Sequence, residues 1–266
     1  MSDRVFLVTG ASSGLGEATA HRLARAAGVR LVLLARRADR LERLAAALPA
    51  PADPLPLDLL DDDAPARAAA FLEERTGGRL HLLVNNAGVG GRGAFADTGY
   101  AAVRRTMALN FDAQLRLTEA LLPLLRASAP SAIVNVASTA GRIGRPRAGA
   151  YSASKAALAV WSDALRAEEH AFGVHVGVVM PGFVPTEGFP QRELAEKRTT
   201  RWMLGTPEEV ADAVVAAGLE GRAERYVPRF YGAIAALRTV APGLLRRTLR
   251  SKRADVLATS TRPGAD

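Results

Sequence analysis

The sequence predicts an α/β fold in which one parallel sheet carries helices on both faces. Short apolar runs that fit buried strands alternate with longer helical patterns as far as about residue 227. Neither a linker nor a repeat divides the 266 residues, and 48% hydrophobic residues suffice for one large core. We therefore expect a single domain at residues 1–228, an extension at 229–253 and a disordered tail at 254–266.

The composition argues against several classes of protein. The chain has no Cys, so disulfides and thiolate metal sites are excluded. We expect no metal, because its four His (His21, His81, His170 and His175) lack ligand spacing. The apolar run Val5 to Val8 is too short for a signal peptide, and no stretch approaches the ~20 residues of a membrane span. These features favour a cytoplasmic protein.

The net charge of +8 is concentrated near the C-terminus. Residues 225–254 hold eight basic residues and no acidic ones, whereas the rest of the chain is neutral. Because no basic surface extends over the body, we expect no nucleic-acid partner.

The chain opens with a strand, a glycine turn and a helix. Val5 to Thr9 is apolar, Glu17 to about Ala27 is helical, and Thr9-Gly10-Ala11-Ser12-Ser13-Gly14-Leu15-Gly16 joins them. Glycines let the backbone approach a pyrophosphate, and a helix N-terminus offers N–H donors to it. The turn predicts a dinucleotide site, although its spacing is not Gly-x-Gly-x-x-Gly. An ordinary strand–helix turn is the alternative.

Two arginines follow the second strand, Leu31 to Ala35. NAD-binding domains of this kind place an acid there for the ribose 2′-hydroxyl. Here Arg36 and Arg37 occupy that place, and Arg can bind a 2′-phosphate bidentately. We therefore predict NADP(H), with NAD(H) or a solvated helix start as the alternatives.

A short third strand ends at a carboxylate. After a helix to about Leu48, Pro49 to Pro54 are predicted to form a turn and Leu55 to Leu57 a strand, which Asp58 closes. Asp58 can accept a hydrogen bond from an adenine amino group or cap the next helix, which ends before Gly77.

Amides follow the fourth strand, Leu80 to Val84. In Asn85-Asn86-Ala87-Gly88 they can line a cofactor site or hold strands together, and for Asn85 the second role is at least as plausible. One long helix is predicted from Tyr100 to Arg126. Asn110 lies inside it, and Asn competes for backbone groups there, which predicts a local irregularity or a bound water.

The remaining elements complete the alternation. They are a strand at Ile133 to Ala137, a helix at Tyr151 to about Phe172, a strand at Val174 to Val179 ended by Pro181-Gly182, a helix capped by Thr206 and a short strand at Tyr226-Val227. The segment 183–205 has the length of a lid or binding loop.

Tyr151 and Lys155 form the candidate catalytic pair. Four residues apart on a helix, they share one face, and a cation beside a phenol favours the phenolate. Ser138 follows a strand and can hold a substrate oxygen near the phenol. Only three lysines (Lys155, Lys197 and Lys252) stand among 35 basic residues, so the use of Lys at this position favours a chemical role.

Together these residues resemble the short-chain dehydrogenase/reductase family over residues 4 to about 228. The matching motifs are Thr9-Gly10-x-x-x-Gly14-x-Gly16, Asp58, Asn85-Asn86-Ala87-Gly88, Asn110, Ser138, Tyr151-x-x-x-Lys155 and Pro181-Gly182-x-x-x-Thr186. The resemblance implies a single-domain, doubly wound (Rossmann) sheet of about seven strands. It also implies a homodimer or homotetramer formed through helices 100–126 and 151–172.

The resemblance further implies a role for each matched residue. Tyr151 would be the general acid/base, Lys155 would hold the nicotinamide ribose and lower the phenol pKa, and Ser138 would bind the substrate oxygen. Asn110 would anchor a water in a proton relay. The implied cofactor contacts are Gly10, Ser12, Ser13, Gly14, Leu15, Gly16, Arg36, Arg37, Asp58, Leu59, Asn86, Ala87, Gly88, Tyr151, Lys155, Pro181, Gly182, Val184 and Thr186.

The predicted activity is an NADP(H)-dependent interconversion of an alcohol and a ketone or aldehyde. Walls around 90–95, 139–147 and 183–203 mix apolar side chains with arginines, and we lean to an apolar small-molecule substrate. A catalytically silent cofactor-binding regulator is one alternative. A peripheral membrane protein is another, because 229–253 is basic and amphipathic. That segment can equally pack on its own domain or on a partner subunit.

Overall fold

The computed structural model describes residues 4–91, 93–187 and 201–243. Seven strands form one parallel sheet in the order β3-β2-β1-β4-β5-β6-β7, which confirms the predicted fold class. The strands are β1 Arg4–Thr9, β2 Val29–Ala35, β3 Ala52–Pro56, β4 Leu82–Asn85, β5 Ser131–Val136, β6 Val174–Pro181 and β7 Glu224–Val227.

Helices cover both faces of the sheet. They are α1 Gly14–Leu23, α2 Ala38–Ala47, α3 Ala64–Thr76, α4 Phe95–Met107, α5 Ala113–Ala127, α6 Gly149–Glu169, α7 Pro207–Leu219 and α8 Tyr231–Val240. Successive strand side chains point to opposite faces, so Phe6 and Val8 join the core under α1, α2 and α7, whereas Val5 and Leu7 join the core under α3 and α5. Of the helices described, none is both long and apolar enough to cross a membrane.

The strand order reverses beside β1. Strands β2 and β3 lie on one side of it and β4 to β7 on the other. Ligands of open α/β sheets bind beyond the carboxyl ends of the strands at such a reversal. The glycine turn, the two arginines, the Asn-Asn-Ala-Gly loop and Ser138 all follow carboxyl ends of strands at this edge.

The prediction of a turn at residues 49–54 is wrong for its second half. Strand β3 already begins at Ala52, which pairs with Leu31 of β2. Pro54 and Pro56 are tolerated because β3 is an edge strand, where a missing N–H removes no ladder bond.

The single helix predicted from Tyr100 to Arg126 is also wrong. The chain forms α4, a π-helical segment at Ala108–Asp112 and α5. Asn110 lies in the π-helical segment, so the irregularity predicted at this residue is confirmed. Helix α1 begins at Gly14, earlier than predicted.

Three predicted segments reach outside the described residues. The predicted lid does so at 188–200, the C-terminal extension at 244–253, and the tail at 254–266 over its whole length. The described part of the extension contains α8, where Tyr231 and Ile234 share a small apolar cluster with Phe183.

Asp53 gives the fold a testable pH dependence. Its side chain on β3 is only 7% exposed and accepts hydrogen bonds of 2.6 and 2.9 Å from Arg30 and of 3.3 Å from Arg75. The hydrogen bond from Arg30 lowers the pKa of Asp53, although burial opposes this. The stabilisation is therefore present above the unfolded pKa of about 3.9 and is lost as the pH falls through the lower folded value.

We expect Asp53→Asn to lower the free energy of unfolding at neutral pH by about 1–3 kcal/mol, measured by urea denaturation, because charged hydrogen bonds are lost. The difference from wild type should shrink as the pH approaches about 2. The control, Asp39→Asn, removes a pair with Arg43 whose side chains are 70% and 73% exposed, and it should cost less than about 0.5 kcal/mol. An Asp53→Asn effect that is independent of pH would contradict this account.

Candidate active site

A cavity of about 540 Å³ lies at the carboxyl edge of the sheet. This volume is in the range of small-molecule sites, roughly 300–1,000 Å³. The predicted site residues that line it are Gly10, Ser12, Ser13, Gly14, Leu15, Arg36, Arg37, Asp58, Leu59, Asn86, Ala87, Gly88, Ser138, Tyr151, Lys155, Pro181, Gly182, Val184 and Thr186. Gly16 and Asn110 are the two predicted residues that do not line it.

The glycine turn has a backbone geometry that can bind an anion. Gly10 and Gly14 have φ values of +66° and +56°, which side chains rarely adopt. A Cβ at Gly16 would overlap the carbonyl oxygen of Gly10, so this glycine lets the turn close on itself rather than face the cavity. Ser13 makes no side-chain cap for α1. The first N–H groups of that helix are thus available to an anion.

Thr9 fastens the turn to the loop after β4. Its Oγ1 donates to the carbonyl of Val84 (3.1 Å) and accepts from the backbone N–H groups of Asn86 (2.9 Å) and Ala87 (3.0 Å). The Asn86 amide in turn donates to the carbonyl of Thr9 at 2.9 Å. These bonds fix the cavity floor where the strand order reverses.

Asn85 has the structural role. Its Nδ2 donates to Thr118 Oγ1 and to Asn135 Oδ1, both at 2.9 Å, and Asn135 Nδ2 donates to Ser162 Oγ at 2.7 Å. This buried ladder joins β4 and β5 to the long helices α5 and α6.

The two arginines after β2 reach one end of the cavity. Arg37 Nη2 donates to Ser13 Oγ at 2.9 Å and to Ser12 Oγ at 3.1 Å, so its guanidinium lies over the glycine turn. Arg36 is 72% exposed, and its Nη1 lies 3.8 Å from an oxygen of Asp58. Cations and hydroxyls thus converge at the place where the sequence predicts a 2′-phosphate.

Asp58 does not cap the following helix. Helix α3 starts at Ala64 with Asp63 in the cap position. One oxygen of Asp58 instead accepts from the backbone N–H of Leu60 at 3.0 Å. The carboxylate therefore stays at the cavity wall, as an adenine contact requires.

Ser138 stands at the opposite end of the cavity, just after β5. Its Oγ accepts from the backbone N–H of Ala140 at 3.1 Å and donates to the carbonyl of Pro181 at 3.2 Å. Since α6 begins at Gly149, Tyr151 and Lys155 lie in its first two turns. Ser138, Tyr151 and Lys155, three of the four predicted catalytic residues, therefore line one cavity, whereas Asn110 does not.

Lys155 is a buried cation. It is 4% exposed, and its Nζ donates to the carbonyl of Val136 at 2.7 Å. Burial lowers its pKa to about 8, so the ammonium still predominates at neutral pH. A Cβ at Gly88 would lie 3.5 Å from this Nζ and 3.0 Å from Asn110 Oδ1, so the loop after β4 passes directly against both.

Asn110 holds that loop with its side chain. Oδ1 accepts from Val89 N–H at 2.8 Å, and Nδ2 donates to the carbonyl of Val89 (2.9 Å) and to Ser154 Oγ (3.1 Å). The residue is fully buried. Both polar atoms of the Asn110 side chain thus make hydrogen bonds within the protein. A water in the predicted relay would therefore bind to the main chain of the π-helical segment.

Two polar residues of this region were not predicted from the sequence as part of the site. Buried Gln114 donates to the carbonyl of Ala87. Its signal was available, because it lies four residues after Asn110 and so on the same helix face. Arg145 lines the cavity beside Tyr151, and nothing in the sequence distinguishes it from the many other arginines.

Lys155 should make the stability of the protein depend on pH. Its unfolded pKa is about 10.4, and the folded value is about 8. Between the two, the unfolded chain binds more protons, so the stability rises with pH. Relative to Lys155→Met, wild type should gain about 2 kcal/mol of unfolding free energy between about pH 7 and pH 9.5.

Urea denaturation of both proteins at the two pH values measures this gain. Subtracting the variant removes the titration that the two chains share. A wild-type curve parallel to that of Lys155→Met would show that the ammonium is not destabilised by burial.

Comparison with known proteins shows which protein family the chain resembles. It matches the family described as short chain dehydrogenase over residues 4–197. It is 34% identical over 264 residues to Dehydrogenase/reductase SDR family member 7B of Bos taurus, covering 93% of this chain and 81% of that protein.

Two solved structures share the fold. A short-chain dehydrogenase from Streptomyces avermitilis has a TM-score of 0.76 and 33% identity, covering 93% of this chain and 98% of that one. A short chain dehydrogenase from Burkholderia cenocepacia, in complex with NADP, has a TM-score of 0.79 and 28% identity, covering 94% and 98%. With the family match and these relatives, the chain belongs to the short-chain dehydrogenase/reductase family.

Proposed function

We propose that the protein is an NADP(H)-dependent oxidoreductase that interconverts an alcohol and a ketone or aldehyde. Members of the family are nicotinamide-dependent oxidoreductases. The observation that carries the proposal is the convergence of Ser138, Tyr151 and buried Lys155 in the cavity that also holds the glycine turn. An acid/base group thus lies within reach of a dinucleotide site.

The residues present fit a dinucleotide with a 2′-phosphate. The glycine turn and the uncapped start of α1 offer N–H donors to a pyrophosphate. Arg37, held over the hydroxyls of Ser12 and Ser13, offers a cation and polar groups to the 2′-phosphate. Glu187 lies 3.7 Å from Arg37 but is 58% exposed, so water screens its charge.

The reaction needs one hydride and one proton. NADPH, when bound, supplies the hydride to the carbonyl carbon. In this proposal Ser138 Oγ holds the carbonyl oxygen, and the Tyr151 phenol donates its proton to that oxygen. A C–H and an O–H bond form while the C=O π bond is lost, and oxidation of the alcohol follows the same path in reverse.

Lys155 stabilises the phenolate that Tyr151 leaves behind. Its ammonium lies on the same face of α6 one turn later, fixed by the carbonyl of Val136. Asn110 and Gln114 hold the loop that passes beside it. We place the predicted water relay at the main chain of the π-helical segment, a kind of segment that is common at functional sites.

The silent-regulator alternative is disfavoured by the complete set of Ser138, Tyr151 and Lys155 at one cavity. A protein that binds the cofactor without turnover has no need for a serine and a phenol beside the lysine. NAD(H) use stays the alternative to the predicted NADP(H), whereas oligomerisation through α4, α5 and α6 and a cytoplasmic location stay predictions. So does membrane contact through 229–253, although Phe230, Tyr231 and Ile234 are occupied by contacts within the domain.

Cofactor preference tests the arginine pair. Wild type should bind NADPH more tightly than NADH, and Arg36→Ala/Arg37→Ala should weaken NADPH binding roughly 10–100-fold, because charged hydrogen bonds are lost. NADH binding should change less than about 3-fold. Fluorescence titration measures both, with Arg43→Ala on the exposed face of α2 as the control. Wild type that binds NADH equally well would rule out the 2′-phosphate site.

Tyr151→Phe tests the proton donor. Removing the general acid should lower kcat for a carbonyl panel by about 10²–10⁴-fold, while the Kd of NADPH stays unchanged. The matched control is Tyr100→Phe, since Tyr100 is 68% exposed. Turnover by Tyr151→Phe at the wild-type rate would assign proton transfer to another group.

A further inference from the structure

Arg145 sits at the end of the cavity opposite Arg36 and Arg37. It lines the cavity together with Ser138 and Tyr151. Its Cζ lies 4.8 Å from the centre of the Phe183 ring, and that ring contacts Tyr231 of α8 edge-on at 6.5 Å. The guanidinium is thus held on an aromatic surface at the catalytic end.

This guanidinium lacks the partners that other half-buried arginines have. Arg142, three residues earlier, lies 2.7 Å from Glu224, and Arg126 lies 2.6 Å from Glu169. Across residues 4–91, 93–187 and 201–243, no carboxylate lies within ion-pair distance of Arg145, and its buried Nε makes no hydrogen bond. A buried hydrogen-bond donor without a partner lowers the stability of the fold, so its presence needs an explanation, and a ligand is one.

The charge is also uncompensated within the cavity. Among the described lining residues Asp58 alone is acidic, and it lies at the other end beside Arg36. Burial lowers the pKa of Arg145, whereas the phenols of Tyr151 and Tyr231 oppose this. Since arginine stays protonated in proteins, the catalytic end carries a positive charge that no carboxylate among the described residues pairs with.

We propose that Arg145 binds a carboxylate of the substrate, so that the enzyme acts on oxo acids or the corresponding hydroxy acids. The inference rests on the proposed oxidoreductase function and gives it a substrate class. One guanidinium matches the single charge of a carboxylate and its two oxygens. The neighbouring walls are apolar (Val89, Leu109 and Phe183), which suits a hydrocarbon chain between the carbonyl and the carboxylate.

A second role for Arg145 would be to favour the phenolate of Tyr151. That role acts on every substrate alike and shifts the pH profile of kcat. Carboxylate binding acts only on acids and raises KM when it is lost. Substrates that differ only in charge therefore separate the two roles.

The experiment compares oxo acids with their methyl esters. Pyruvate, acetoacetate and levulinate vary the distance between carbonyl and carboxylate, and each is assayed with NADPH beside its ester. Wild type should prefer at least one acid by roughly 10–100-fold in kcat/KM. Arg145→Gln should remove this preference by raising KM for the acids, with a much smaller change in KM for the esters, whereas Arg145→Lys should keep part of the preference.

Two controls protect the interpretation. Arg147→Gln removes an exposed arginine of the same loop and should leave the preference intact. Trp fluorescence of the NADP⁺ complexes of wild type and Arg145→Gln reports acid binding without turnover, because the oxidised cofactor cannot reduce an oxo acid, and binding of NADP⁺ shows that the variant is folded.

Each remaining outcome overturns a distinct claim. If wild type reduces esters and acids with equal kcat/KM, the carboxylate site is overturned and the oxidoreductase proposal stands. Equal losses for acids and esters in Arg145→Gln, with a shifted pH profile, assign Arg145 to Tyr151 instead. If acids bind to wild type but not to Arg145→Gln and no carbonyl is reduced, the anion site stands and the oxidoreductase proposal fails. If no acid binds and none is reduced, the carboxylate site is overturned.

Discussion

The burial of one ammonium group constrains the rest of the site. Lys155 is 4% exposed and needs a fixed acceptor, which the carbonyl of Val136 provides at the end of β5. It also needs room beside the next loop, which Gly88 provides because a side chain there would contact both Lys155 and Asn110. A compact, titratable cation meets these conditions, whereas a guanidinium, which dominates elsewhere in the chain, does not.

Buried hydrogen bonds hold the loops that surround this group. Thr9 ties the glycine turn to Asn86, Asn110 ties the following loop to α6, and Asn85 ties β4 to β5. Such networks are rigid when their members are satisfied, and of these three asparagines Asn85 alone has a buried atom, Oδ1, without a hydrogen-bond partner among the described residues. These hydrogen bonds therefore connect the loops at the carboxyl edge of the sheet, and the positions of those loops determine the shape of the cavity.

Much of the fold could be predicted from the sequence, because strand and helix periods alternate cleanly and Tyr151 and Lys155 are one helical turn apart. The start of β3 was missed because its prolines argue against a strand, yet an edge strand accepts them. The motif could not show that Gly16 packs against Gly10 rather than facing the cavity. Arg145 could not be predicted, since a buried Nε that has no hydrogen-bond partner among the described residues is a tertiary property.

Catalysis as proposed here depends on Lys155 being a buried ammonium with a lowered pKa at the catalytic end of a dinucleotide site. Carbon-13 NMR of the three lysine Cε groups, followed across pH with Lys155→Met for assignment, tests it most directly. We predict that one resonance titrates with a pKa of about 8 and disappears in the variant. If all three lysines titrated at their ordinary value of about 10.4, the Lys155 ammonium would be solvated, and the proposed role of its burial would be contradicted.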